Sequence, residues 1–243
     1  MESQKYKPGG TNDQISGDGG TLASVYEKGS KLGLEPLDYG DPSLVGYWTF
    51  EEGTGTVAYD YSGNNATGSW MGTPTGTNGY YSAGKVGGWA GAFDGTDNYV
   101  SARFGSTDYP QLTVSAWVSS HNPSGLTNIV NGDGITYYAS VYGSKFQVFD
   151  GVAWESGTTA LSADAWYYFT MSFDSVAKTL KIYTNGNLEY SNTGTATRGS
   201  GSVAFLGTDI GDGRYLQGKL DDVRFYNRVL SAAEIAALYA GGK

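Results

Sequence analysis

Over residues 113–118 and again over 166–173, residues that can be buried together recur at every second position. A period of two sends successive side chains to opposite faces of an extended chain, so each run reads as a β-strand with one buried face. In the first run Val114, Ala116 and Val118 alternate with Thr113, Ser115 and Trp117; in the second Tyr167, Phe169, Met171 and Phe173 alternate with Trp166, Tyr168, Thr170 and Ser172. Leu180 and Ile182 then alternate with Lys181 and Tyr183, and Asn185-Gly186 turns the chain into residues 188–190. An Asn-Gly pair between alternating runs is a strong hairpin signal, because both central residues of the tight turn need positive φ. Further strands are predicted at 44–50, 89–93, 99–104, 135–142, 145–149, 203–206 and 216–226. At least ten short strands with turns between them imply an all-β chain of two packed antiparallel sheets.

The exception is the end. Ser231 and Glu234 have capping-box spacing, Ile235, Leu238 and Tyr239 share one helical face, and Gly241-Gly242 stops the run. A short C-terminal helix is therefore expected against the sandwich. Residues 1–43 read differently, because Pro8-Gly9-Gly10, Gly17-Asp18-Gly19-Gly20 and Gly40-Asp41-Pro42 break them up. They are expected to form an extension or linker ahead of a sandwich over 44–243.

Composition narrows the function. Fifteen Lys and Arg face 24 Asp and Glu, a formal charge of −9, with no polybasic run, so phosphate backbones and anionic membranes are poor partners. With no cysteine, disulfides, thiolate metal sites and cysteine nucleophiles are excluded. No stretch approaches the roughly 20 apolar residues of a membrane helix. His121, in a predicted turn beside Asn122-Pro123, is the only histidine and reads as a surface residue, and no serine has glycine at both −2 and +2. None of the eight glutamates has Asp at +2, so the paired-carboxylate strand of sandwich glucanases is missing. The chain is expected not to be an enzyme.

Four segments together resemble the laminin-G-like, concanavalin-A-like jelly-roll domains of bacterial surface proteins. They are Tyr47-Trp48-Thr49-Phe50-Glu51-Glu52-Gly53 with Asp60-Tyr61-Ser62-Gly63-Asn64-Asn65; Ala92-Phe93-Asp94-Gly95 with Asp97-Asn98-Tyr99; Trp166-Tyr167-Tyr168-Phe169 leading to Asn185-Gly186; and Leu220-Asp221-Asp222-Val223-Arg224-Phe225-Tyr226, ending in Glu234-Ile235. The resemblance covers about residues 44–240 and implies a two-sheet jelly-roll β-sandwich used in glycan binding or adhesion, secreted or on the cell surface. Stretches of residues 1–43 resemble the segment that follows the hydrophobic helix of pilin-like (pseudopilin) proteins. That implies the alternative of a structural or protein-interaction domain in a filament.

Two kinds of site follow. Calcium takes six to eight oxygens from carboxylates, amides and loop carbonyls. The candidate ligands are Asp60, Asn64 and Asn65 in one turn, Asp94 and Asp97 in another, and Asp221 and Asp222 near the end. In a jelly roll the first and last strands lie close, so Glu51 and Asp221 could share an ion. The competing use is local, since Asp and Asn in tight turns bond their own backbone. Asp222 and Arg224 are expected to pair with each other or with neighbours. Glycan recognition would use exposed rings, and Trp70, Tyr80, Tyr81, Tyr137, Tyr138 and Trp154 are placed in or near loops and edges. Trp48, Trp117, Trp166 and Phe169 are assigned to the core.

Overall fold

The computed structural model describes residues 41–74, 77–103, 109–132, 138–193, 203–209 and 211–242. Contacts divide the chain into Met1–Leu37 and Asp38–Lys243, and every described residue lies in the second unit.

That unit is a sandwich of two eight-stranded sheets. One sheet, called A, runs in the order β14 (Asn187–Thr193), β13 (Thr179–Thr184), β12 (Trp166–Asp174), β7 (Gln111–Ser120), β18 (Gln217–Tyr226), β5 (Trp89–Asp94), β4 (Tyr81–Ala83), with β1 (Leu44–Trp48) also on β18. The other, B, runs β11 (Trp154–Ser156), β10 (Lys145–Phe149), β9 (Tyr138–Tyr142), β8 (Thr127–Gly132), β15 (Val203–Leu206), β6 (Tyr99–Arg103), β3 (Gly68–Met71), β2 (Val57–Ala58). Every pairing is antiparallel. A small hairpin, β16 (Thr208–Asp209) with β17 (Arg214–Tyr215), carries the chain from β15 towards β18 and packs against β8.

The alternation sets the core. Val114, Ala116 and Val118 from β7 and Phe169 and Met171 from β12 meet Val100, Val130, Val141 and Phe146 from sheet B in one buried cluster. The opposite parity of sheet A is also buried. Leu44, Tyr47, Tyr183, Tyr226 and Leu230 form a second cluster with Ile235 of α1 (Ala232–Gly241). The predicted capping box starts that helix: the Ser231 hydroxyl accepts from the Glu234 amide, and the Glu234 carboxylate accepts from the Ser231 amide at 2.7 Å. Arg228 bridges Glu234 and Asp41, at 2.7 and 2.8 Å, and ties residue 41 to the helix start. The Asn185-Gly186 turn has φ of +52° and +77°, as the hairpin requires.

Some elements differ from expectation. The first strand ends at Trp48, because Phe50 takes φ +59° and drives its ring into the core. Trp117 is buried, on the outward parity of sheet A beside Tyr239 of α1 (5.6 Å between ring centroids), while Trp166 is only half-buried. The short strands β3, β4, β8 and β11 escape a reading by alternation, being brief and rich in Gly, Ser and Asn.

Candidate binding face

Where β10 reads Lys145-Phe146-Gln147-Val148-Phe149, Phe146 and Val148 enter the core, so Lys145, Gln147 and Phe149 point outward. The same parity on each neighbour defines the outer face of sheet B. Register then lines up one rung across it: Trp154 pairs with Phe149, Phe149 with Tyr138, Tyr138 with Asn131, Asn131 with Phe205, and Phe205 with Ser101.

Two aromatic groups gather about this rung, one around Phe149 and one around Phe205, with Asn131 between them. In the first, Phe149 and Trp154 have centroids 5.5 Å apart, and Tyr138 lies 5.9 Å from Phe149 and 6.5 Å from Trp154. In the second, Tyr99 lies 6.2 Å from Phe205 and 6.3 Å from Tyr215. Trp154 is 39% exposed, and Tyr138, Phe149, Phe205, Tyr99 and Tyr215 are half-buried. Rings so placed present an apolar face while their neighbours hold them still.

Polar groups come from β8 and the small hairpin. Asn131 Nδ2 donates to Asp209 Oδ1 at 3.2 Å. Arg214 Nη1 lies 2.8 Å from Asp212 Oδ2 and 3.8 Å from Asp209 Oδ2. Burial first, then the charges of Asp209 and Asp212, push the Tyr138 hydroxyl above its ordinary pKa, so it remains a neutral donor. Asn131 Oδ1, both side-chain ends of Asn128, and Ser140 Oγ are buried without hydrogen-bond partners among the described residues. Buried polar atoms are normally satisfied, so these retain bonding capacity.

Of the expected ring-stacking residues, Tyr138 and Trp154 belong to this face, and Tyr137 lies outside the described residues. Trp70, Tyr80 and Tyr81 do not belong to it. They are buried in the core, and Trp70 stacks on Tyr80 with centroids 4.8 Å apart and an interplanar angle of 9°. Their polar tips are also engaged: Trp70 Nε1 donates to the Tyr81 hydroxyl at 3.0 Å, which donates to the Val57 carbonyl at 2.8 Å. Trp70 lies on β3 at the parity facing Val100, so it is a strand residue of the core rather than a loop ring. Phe149, Phe205, Tyr99 and Tyr215 escaped the sequence reading. For the first three the signal was present: each occupies the outward parity of its strand.

The eight candidate calcium ligands do not converge, and no group of three acidic or histidine side chains is arranged for a metal among the described residues. Asp60 accepts the amides of Tyr47, Ser62 and Ala66 and the Ser62 hydroxyl. Asn64 donates to the Leu44 carbonyl, and Asn65 takes φ +57° in the same turn. Asp94 accepts the amides of Thr96, Asp97 and Asn98, and Asp97 that of Thr73. Asp222 pairs with Arg224 and accepts the Tyr47 hydroxyl at 2.7 Å. Glu51 and Asp221 do serve a common element, but it is a loop: Glu51 accepts the amides of Gly88 and Trp89, and Asp221 Oδ2 those of Lys85 and Val86. These carboxylates thus serve backbone N–H groups, the local use that Asp and Asn find in tight turns.

A cavity of about 340 Å³ lies at the β4–β5 edge of sheet A, between Asn78, Ser82, Ala92 and Asp94. Both of its aromatic neighbours, Tyr81 and Phe93, are core residues. His121 is exposed and bonds Asp164 at 3.1 Å, as a surface pair.

Residues 94–236 match the family model described as the concanavalin A-like lectin/glucanases superfamily, of the laminin-G type. The chain belongs to this family. No curated protein sequence matches this laminin-G-type chain significantly. Among solved structures it is similar to domain 4 of AbnA, an extracellular arabinanase of Geobacillus stearothermophilus in complex with arabinotriose: TM-score 0.63, 21% identity, covering 81% of this chain and 98% of that one. It is similar too to the receptor binding domain of a botulinum neurotoxin C/D mosaic (TM-score 0.63, 14% identity, 82% and 51% covered). A third is the binding domain of Paraclostridial Mosquitocidal Protein 1 (TM-score 0.63, 16% identity, 81% and 52% covered). The chain spans about half the length of these toxin binding domains. At such identities the likeness is one of fold. No helix among the described residues is long and apolar enough to cross a membrane.

Proposed function

We propose that this domain is a non-catalytic carbohydrate- or surface-binding module, displayed outside the cell, whose ligand rests on the outer face of sheet B. The observation that carries this reading is the rung Trp154–Phe149–Tyr138–Asn131–Phe205: two aromatic groups on one sheet face with an amide between them. Rings of this kind pack against the C–H faces of sugars, while Asn131, Asp209 and Arg214 are suited to hydroxyls. Similarity to a domain solved with arabinotriose supports a glycan in particular. A glycan array probed with the full chain and with Tyr138→Ala tests it. Binding to a defined sugar class that weakens in the variant is expected; a blank array, or equal signals from both proteins, contradicts the proposal.

A further inference from the structure

We propose that the ligand of this face is a neutral, linear glycan lying across the strands and touching both aromatic groups at once. This rests on the reading of the outer face of sheet B as the binding surface.

Length comes from the register. Neighbouring strands lie about 4.8 Å apart, so Phe149 on β10 and Phe205 on β15 are separated by three strand spacings, about 14 Å, and β11 to β6 by about 24 Å. One sugar ring covers one group only. A chain of about four units is needed to reach from the first group to the second at this spacing. The rung is perpendicular to the strands, and so is the ligand's path.

Neutrality comes from the hydrogen-bonding inventory between the groups. Asn131 Oδ1 is an acceptor without a partner, in a residue only 7% exposed. Asp209 and Asp212 are acceptors beside it, and Arg214, the cation next to them, is already held by both. The other cations of this parity, Lys145 and Arg103, lie off the rung at the ends of β10 and β6. Asn131 Oδ1 and the two carboxylates call for donors, while Asn128 Nδ2, buried without a partner among the described residues, and the Tyr138 hydroxyl call for acceptors. Hydroxyls both donate and accept, whereas sulfate, carboxylate and phosphate groups accept only and would meet two carboxylates.

The test is affinity electrophoresis of the full chain through gels containing arabinan, mannan, mixed-linkage glucan, polygalacturonate or heparin. Calorimetry then follows with fragments of whichever neutral polymer retards it. Retardation by a neutral polymer alone is expected, with affinity rising about tenfold or more from disaccharide to tetrasaccharide and then levelling. Phe205→Ala should reduce tetrasaccharide binding towards the disaccharide value and so abolish the gain with length. Strongest retardation by heparin or polygalacturonate, or affinity independent of length, overturns the proposal while leaving a carbohydrate-binding face intact. Retardation by none of the polymers overturns that underlying reading as well.

Discussion

The two outer faces of the sandwich are built from similar residues and covered differently. On sheet A, Tyr47, Trp117, Tyr168, Tyr183 and Tyr226 take the outward parity, and all are buried. The helix α1 lies on them through Ile235 and Tyr239, and Tyr239 is 5.6 Å from Trp117 and 6.2 Å from Tyr168. Among their companions Arg224 pairs with Asp222, donates to the Tyr47 hydroxyl at 3.0 Å and stacks 4.3 Å over its ring. On sheet B the outward rings are only partly covered: Trp154 is exposed and Tyr138, Phe149, Phe205 and Tyr99 are half-buried. Aromatic content does not separate a closed face from an open one. What covers the outward parity does.

That contrast can be broken most forcefully from the closed side. Asp222→Ala leaves Arg224 buried without its carboxylate and should cost about 3–5 kcal/mol, read as a fall in the urea midpoint. Trp70→Ala, in the core between the sheets, should cost a similar 3–5 kcal/mol. A small loss from either would mean that the buried assignment is wrong.

The next effect is pH-dependent. Burial, together with the nearby charges of Asp222 and Glu51, outweighs the hydrogen bonds from Val86 and Lys85 and raises the Asp221 carboxyl to about 8. The folded chain therefore holds a proton that the unfolded chain releases near pH 4. The stabilisation is full below that value and is lost as pH rises through about 8. Melting temperature should fall between pH 6 and 9, and Asp221→Asn should flatten the fall; an unchanged slope in the variant would remove Asp221 from the account.

On the open side, Trp154→Ala should cost about 1 kcal/mol, well below Trp70→Ala, while weakening glycan binding about tenfold. Large destabilisation would place Trp154 with Trp70 and erase the distinction. The smallest effect is that of a chelator. Because the turn carboxylates already accept backbone amides, the melting temperature should not move; a clear drop would restore a structural ion.

Much of this architecture was readable in the chain. The runs at 113–118 and 166–173, the Asn185-Gly186 turn and the Ser231–Glu234 cap rest on local rules of period, φ and capping, and all appear where expected. The site was legible only in part. Trp70 and Trp154 stand on short strands of the same sheet, where too few residues alternate to reveal parity. The rung joins five strands drawn from residues 131 to 205, and only the register of the folded sheet places them side by side. The acidic turns were ambiguous for another reason: Asp and Asn suit both calcium and Asx-type turns, and only the direction of the surrounding N–H groups separates the two.

The most direct test is amide hydrogen exchange of the full chain with and without a saturating polysaccharide identified on the array. Protection concentrated in residues 127–156 and at the 208–215 hairpin is the result predicted. Protection at α1, or around the β4–β5 cavity, with residues 127–156 unchanged, would contradict the placement of the ligand on sheet B.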